Sequence, residues 1–163
     1  MKLFDISAII NIKKIKNLKT DKSFTNITSN SLLIDDKSIF IFDLNSKSKK
    51  LYLKEAIRKN AVAILSNKNY RFINIPLFIV EDIEDAKEKL LQKLYPFPPK
   101  KSIAITGTNG KTSVLWYISK ILNNLKINNK TLGTLGHFSN SKKISDINLT
   151  TPAYEELVKY TSS

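Results

Sequence analysis

Apolar and polar positions fall into short blocks along the chain, and the blocks alternate between two periods. Ser38-Ile-Phe-Ile-Phe-Asp43 is a compact apolar run rich in β-formers and is expected to be a buried strand. Residues 61–65 and 76–80 have the same character and predict a second and a third strand. Between them the period lengthens: Leu51, Leu53, Ala56 and Ile57 give residues 50–59 one apolar side, as a helix requires, and Asn60 is placed to end it. From 82 to 95 the stripe is Ala86, Leu90, Leu91 and Leu94, with Asp82 positioned as the cap. The start of the chain mixes Ile and Lys without a clean period, and only a short helix over 4–10, capped by Asp5 or Ser7, is read there. Residues 27–30 read as a short strand or turn, and Asp35-Asp36-Lys37 as a turn. Helices interleaved with strands predict a small α/β domain whose ligand surface lies at the strand ends.

Pro96-Phe97-Pro98-Pro99 cannot continue any regular element, so a domain boundary is expected there, dividing the chain into 1–97 and 98–163. A second α/β unit follows: a strand over 102–106, a loop, and a helix over 111–125 whose Leu115, Ile118, Ile121 and Leu122 would face a sheet. A further strand over 130–134 and an amphipathic helix over 153–160 complete it. A nucleotide-binding sheet needs more strands than these to cover its helices, so this unit is expected to be the opening part of a larger domain.

Composition narrows the picture. Of 163 residues, 42% are apolar and 25% charged, near the globular average and away from the disordered class. The absence of cysteine excludes disulfide scaffolds, thiolate metal sites and cysteine nucleophiles. No apolar run approaches the roughly 20 residues that cross a bilayer, nor one of signal-peptide quality, so a cytoplasmic protein with no membrane partner is expected. The net charge of +13 raises nucleic acid as a partner. The lysines are scattered and aromatics do not interleave with them, which favours a solvated lysine surface and no nucleic acid.

The chemistry concentrates in Gly107-Thr108-Asn109-Gly110-Lys111-Thr112-Ser113, which follows an apolar β-rich run and opens a helix. Two glycines free the backbone to approach a ligand, so successive amides can point at phosphate oxygens, and the helix N-terminus adds its favourable dipole end. Lys111 is expected to bridge the β- and γ-phosphates and offset charge on the transferring group, and Thr112 to offer its hydroxyl to magnesium. Asn109 either hydrogen-bonds across the loop or reaches the nucleotide. The strict phosphate-loop pattern would place glycine at position 105, where this chain has Ile105.

The shortened loop resembles that of the ATP-dependent Mur ligases of peptidoglycan synthesis, whose form is Gly-x-x-Gly-Lys-Thr followed by Thr or Ser. Within that family the chain is most similar to the MurE branch, which adds the third stem-peptide amino acid to UDP-N-acetylmuramoyl-L-Ala-D-Glu. Ile27-Thr28-Ser29-Asn30-Ser31 resembles the segment through which the N-terminal domain binds the uridine nucleotide. Ser38–Phe42 resembles the strand after it, 56–65 the family's helix-to-strand junction with Asn60 in place of glycine, and Leu132-Gly-Thr-Leu-Gly136 and Leu149-Thr150-Thr151-Pro152 the pieces lining the muramoyl site. The resemblance covers essentially the whole chain but about the first third of a full ligase.

What the resemblance implies is an N-terminal uridine-nucleotide domain followed by the start of the central ATP-binding domain. It implies ATP and Mg2+ as cofactors, and UDP-N-acetylmuramoyl-dipeptide and an amino acid as partners. It further implies Lys111 as the catalytic cation, residues 107–113 as the nucleotide loop, Thr112 on the metal, and Thr28, Ser29, Ser31, Thr150 and Thr151 on the substrate. A monomer is expected of the full-length protein, and no ligation turnover from these residues alone. The chain departs from the family pattern at Asn30, Leu32, Leu149 and Ala153. Rival readings are the MurF or MurC branches, a folylpolyglutamate synthase relative, and a non-catalytic ATP-binding remnant. The hydroxyls at 28, 29 and 31 have an alternative reading as ordinary turn residues, and His137 reads either as a contact to substrate phosphate or, favoured, as a loop histidine with no designed role.

Overall fold

The computed structural model describes residues 1–43, 49–147 and 152–162, and these form two compact units, Met1–Pro96 and Phe97–Ser163. In the first, β1 (Ile12–Lys16), β2 (Asn26–Thr28), β3 (Ser38–Phe42), β4 (Ala63–Ser66) and β5 (Leu77–Val80) make one sheet in the order β1-β5-β4-β3-β2. β2 to β5 run parallel, and β1 closes the β5 edge antiparallel with a register shift between Ile12 and Lys14. β3, β4 and β5 are buried at every position, the pattern of strands covered on both faces. Phe40, Phe42, Ile64, Leu77 and Ile79 pack with Ala56, Leu53 and Ile57 of helix α1 (Lys49–Arg58), while the alternate residues Ile39, Ile41, Leu65 and Phe78 point the other way and are equally buried.

The helix ends follow their sequence signals. Asp82 accepts hydrogen bonds from the amides of Glu84 and Asp85 at 2.9 and 3.0 Å and so caps α2 (Ile83–Leu94), whose Ile83, Ala86, Leu90 and Leu91 are buried. Asn60 ends α1 in the left-handed conformation at φ 61°, which an asparagine tolerates better than most residues. The first turn of the chain is a 3-10 helix, Leu3–Ala8, with Asp5 accepting from the Lys2 amide. The strand β1 escapes the sequence reading because Ile-Lys-Lys-Ile-Lys carries lysine at three of five positions. Such lysines suit an exposed sheet edge, not an apolar run.

The second unit differs more from expectation. Helix α3 (Lys111–Asn124) forms as the spacing predicts, but residues 102–106 adopt no strand. No described strand lies beside them to supply ladder hydrogen bonds, and Ile103 is 64% exposed. β6 (Lys130–Gly133) instead begins an antiparallel meander with β7 (Gly136–Ser139) and β8 (Lys142–Ser145). α3 packs on one face of this meander, where the Trp116 and Phe138 rings meet edge-on at 5.5 Å. On the other lies α4 (Tyr154–Thr161), whose Tyr160 ring sits 5.1 Å from His137. The predicted sheet-facing stripe of α3 is corrected at one position: Leu115, Ile118 and Leu122 are half-buried, but Ile121 is 57% exposed, and the buried position is Ser119, whose hydroxyl donates to Asn129 Oδ1 at 2.9 Å.

Candidate nucleotide loop and substrate segment

Gly107 and Gly110 take φ of 146° and 78°, conformations that side chains rarely adopt, and Gly110 occupies the position just before α3. The carbonyl of Gly110 accepts the first helical bond, from the Val114 amide at 2.9 Å. Among the described residues none accepts a hydrogen bond from the amides of Thr108 through Ser113, which belong to the loop and first turn at the positive end of a helix. Lys111 folds back over the loop, its ammonium donating to the carbonyl oxygen of Gly107 at 2.5 Å and lying 3.5 Å from that of Thr108. Thr108, Asn109, Thr112 and Ser113 are exposed. Thr112 borders a shallow depression between α3 and the β6–β7 turn, shared with Trp116, Gly133, Thr134 and Phe138. The turn comes this near because Gly133 lacks a side chain: a Cβ there would sit 3.1 Å from Leu115 Cδ2.

In the first unit the segment 28–31 leaves the carboxyl end of β2, the end at which parallel sheets bind ligands. Ser29 is exposed, whereas Thr28 and Ser31 are buried with their hydroxyls engaged inside the protein. Thr28 Oγ1 accepts from the Asn30 amide at 3.0 Å, and Ser31 Oγ donates to Glu55 Oε2 at 2.5 Å. Lys59, in the turn just after α1, reaches over to the carbonyls of Ser31 and Leu32 at 3.0 and 2.9 Å. The Ser31 hydroxyl, with the Lys59 charge adding to it, holds the Glu55 carboxyl below the ordinary glutamate range. Glu55 and Lys59 were not singled out by the sequence reading, because a Glu and a Lys four apart on a helix look like a surface pair. Leu32, at the position where the family pattern has arginine, is 71% exposed. Thr150 and Thr151 lie outside the described residues.

His137 is not a loop residue: it lies in β7, 7% exposed, paired across the sheet with Leu132 and Ser145. Neither ring nitrogen has a hydrogen-bond partner among the described residues. Burial, with the Lys130 charge adding to it, holds its pKa below the ordinary histidine value. Among the described residues no cluster of three or more histidine, aspartate or glutamate side chains could hold a metal, and no helix is long and apolar enough to cross a membrane.

A helix that opens on a glycine-flanked loop with one lysine, within an α/β fold, has the local form of a phosphate loop. Comparison with known proteins narrows the class. The Mur ligase middle domain matches residues 105–161. UDP-N-acetylmuramoyl-L-alanyl-D-glutamate–2,6-diaminopimelate ligase of Alkaliphilus oremlandii is 35% identical over 150 residues, spanning 90% of this chain and 30% of that protein. The ligases of the same name from Chlamydia pneumoniae and Rickettsia montanensis are 31% and 30% identical, over 83% and 75% of this chain and 28% and 26% of theirs. A solved diaminopimelate ligase superposes with a TM-score of 0.62 at 21% identity, covering 99% of this chain and 33% of its own, which establishes the shared fold. The chain belongs to the Mur ligase family and spans about a third of the length of the relatives it matches.

Proposed function

We propose that this chain carries the uridine-nucleotide domain and the triphosphate loop of an ATP-dependent amide ligase of peptidoglycan precursor synthesis. In this reading the substrate is UDP-N-acetylmuramoyl-L-alanyl-D-glutamate and the amino acid added is diaminopimelate, the one named for the similar ligases. The observation that carries it is the loop at 107–113: left-handed Gly110, amides without an acceptor among the described residues, and Lys111 at the first helical position.

A carboxylate oxygen is a poor leaving group, and transfer of the γ-phosphoryl group of ATP to the substrate carboxyl, with release of ADP, makes an acyl phosphate whose leaving group is a good one. Attack by the amino acid's amine then forms the amide and releases phosphate. The amides of 108–113 would grip the phosphates. Lys111 would exchange its contact with the Gly107 carbonyl for the β- and γ-phosphate oxygens, placing a cation where charge accumulates. The donor set fits a magnesium ion only in part: the exposed Thr112 hydroxyl supplies one oxygen, and the rest must come from phosphate, water or carboxylates outside the described residues. Bound there, the ion would neutralise phosphate charge. Met1–Pro96 would hold the uridine nucleotide beside Ser29, with Thr28 and Ser31 shaping the segment, and Thr150 and Thr151 would meet the muramoyl part.

Calorimetry of the chain with ATP, ADP, adenosine and UDP-N-acetylmuramoyl-L-alanyl-D-glutamate tests the two halves separately. The reading expects ATP and ADP to bind far more tightly than adenosine, and the uridine-linked dipeptide to bind independently of ATP. Equal affinity for adenosine and ATP would overturn the loop assignment.

A further inference from the structure

We propose that Glu55 and Lys59 are positioning residues for the uridine nucleotide, acting through the 28–32 segment; this rests on the substrate reading above. The hydroxyl-bearing residues of that segment do not all face outward. Ser31 is 5% exposed, and its hydroxyl is spent on Glu55 Oε2. Thr28 is 1% exposed and bonds to the Asn30 backbone. At the end of β2 the exposed side chains of the segment are Ser29 and Leu32. The shape of that short connection therefore decides what it offers to a ligand.

Three contacts from α1 and the turn that follows it set the shape. Glu55 takes the Ser31 hydroxyl, Lys59 takes the carbonyls of Ser31 and Leu32, and the two side chains close the arrangement with an ion pair at 3.6 Å. Asn30 adds a local bond, its Oδ1 accepting from the Leu32 amide at 3.0 Å. α1 is a firm base for this brace, because Ala56, between the two charged residues, is fully buried against β3 and β4. Its end is fixed by the left-handed Asn60 and by the Ala61 amide donating to the Ala56 carbonyl at 3.0 Å. Lys59 also neutralises two carbonyls near the surface where a diphosphate would be repelled by bare oxygens.

Each link predicts a graded loss. Glu55→Gln keeps an acceptor for Ser31 but surrenders the charge that holds Lys59, whereas Glu55→Ala removes both. The test is calorimetric binding of UDP-N-acetylmuramoyl-L-alanyl-D-glutamate to the chain and to Glu55→Gln, Glu55→Ala, Ser31→Ala and Lys59→Met, with thermal melts alongside. Expected are losses of about tenfold or more for Glu55→Ala and Lys59→Met and a smaller loss for Glu55→Gln, with melting temperatures within a few degrees of the parent. ATP affinity should not change in any variant. Should Glu55→Ala fail to fold, Ser31→Ala and Glu55→Gln leave the buried side of α1 intact and carry the comparison.

The pH profile separates positioning from bulk stability. Protonating Glu55 releases the brace, and because its pKa is lowered the difference in affinity between the parent chain and Glu55→Gln should persist through the ordinary glutamate range and narrow only as pH falls below it. Ligand binding that is equal in the parent and in all four variants would overturn the brace. Absence of binding by the parent chain itself would overturn the substrate reading on which it rests.

Discussion

At the scale of single residues, Lys111 and His137 make opposite uses of their surroundings. Lys111 is held over the loop by carbonyls that a phosphate would outcompete, since a charged acceptor makes the stronger bond. Lys111→Ala should weaken ATP by about tenfold or more while leaving adenosine binding unchanged, as read by calorimetry. His137 has been placed where protonation is costly, among the Tyr160 ring, the meander and the Lys130 charge, with Glu156 on the facing helix. Its folded pKa lies below its unfolded one, near 6.5. The stability it confers is therefore complete above that value and is lost as pH falls through the folded pKa. Because it is the one histidine of the chain, its ring proton shifts report the titration without ambiguity, and they should turn at a pH below that of a histidine in an unfolded peptide. His137→Leu should flatten the fall in melting temperature between neutral pH and pH 5.

At the scale of elements, termini give the sharpest expectations. Asp82→Ala removes the acceptor for two amides at the start of α2 and should cost about 1 kcal/mol in urea unfolding. Gly136 imposes a stricter demand: a Cβ there would come 2.6 Å from the Ser145 carbonyl oxygen at a φ of 119°. Gly136→Ala should loosen the pairing of β7 with β8, seen as faster amide exchange across that hairpin. The termini were also what could be read from sequence, because Asp82, Asn60 and Gly110 act on their own backbone neighbours. Pairing was not. Nothing local distinguishes 102–106 from a strand; only the absence of a described neighbour does, and the antiparallel β7 and β8 carry a histidine, lysines and serines that disguise their alternation. The brace on segment 28–32 was illegible for the same reason: it joins residues far apart in sequence across a helix-to-turn contact.

At the scale of the whole molecule, burial is unevenly shared. Every fully buried hydrophobic side chain among the described residues lies between Leu3 and Leu91, within Met1–Pro96. The buried side chains of Phe97–Ser163 are instead Ser119, Thr131, His137, Glu155 and Glu156. Apolar burial is the main favourable contribution to folding, so the first unit should hold its structure alone. A chain of residues 1–96 is expected to melt cooperatively near the temperature of the first unit in the full chain, and native-state exchange should show slow amides in β3, β4 and β5 and fast ones in α3 and the meander.

The outward stripe of α3, Val114, Tyr117 and Ile121, with Leu125 at its C-cap, is 45 to 68% exposed. Colloidal behaviour follows from it. In dilute buffer the excess of 27 basic over 14 acidic side chains keeps neighbouring molecules apart, whereas about 1 M salt shortens the reach of that repulsion to roughly 3 Å, less than the width of one side chain. Salting should therefore cloud the solution, and an aspartate at Tyr117 should clear it.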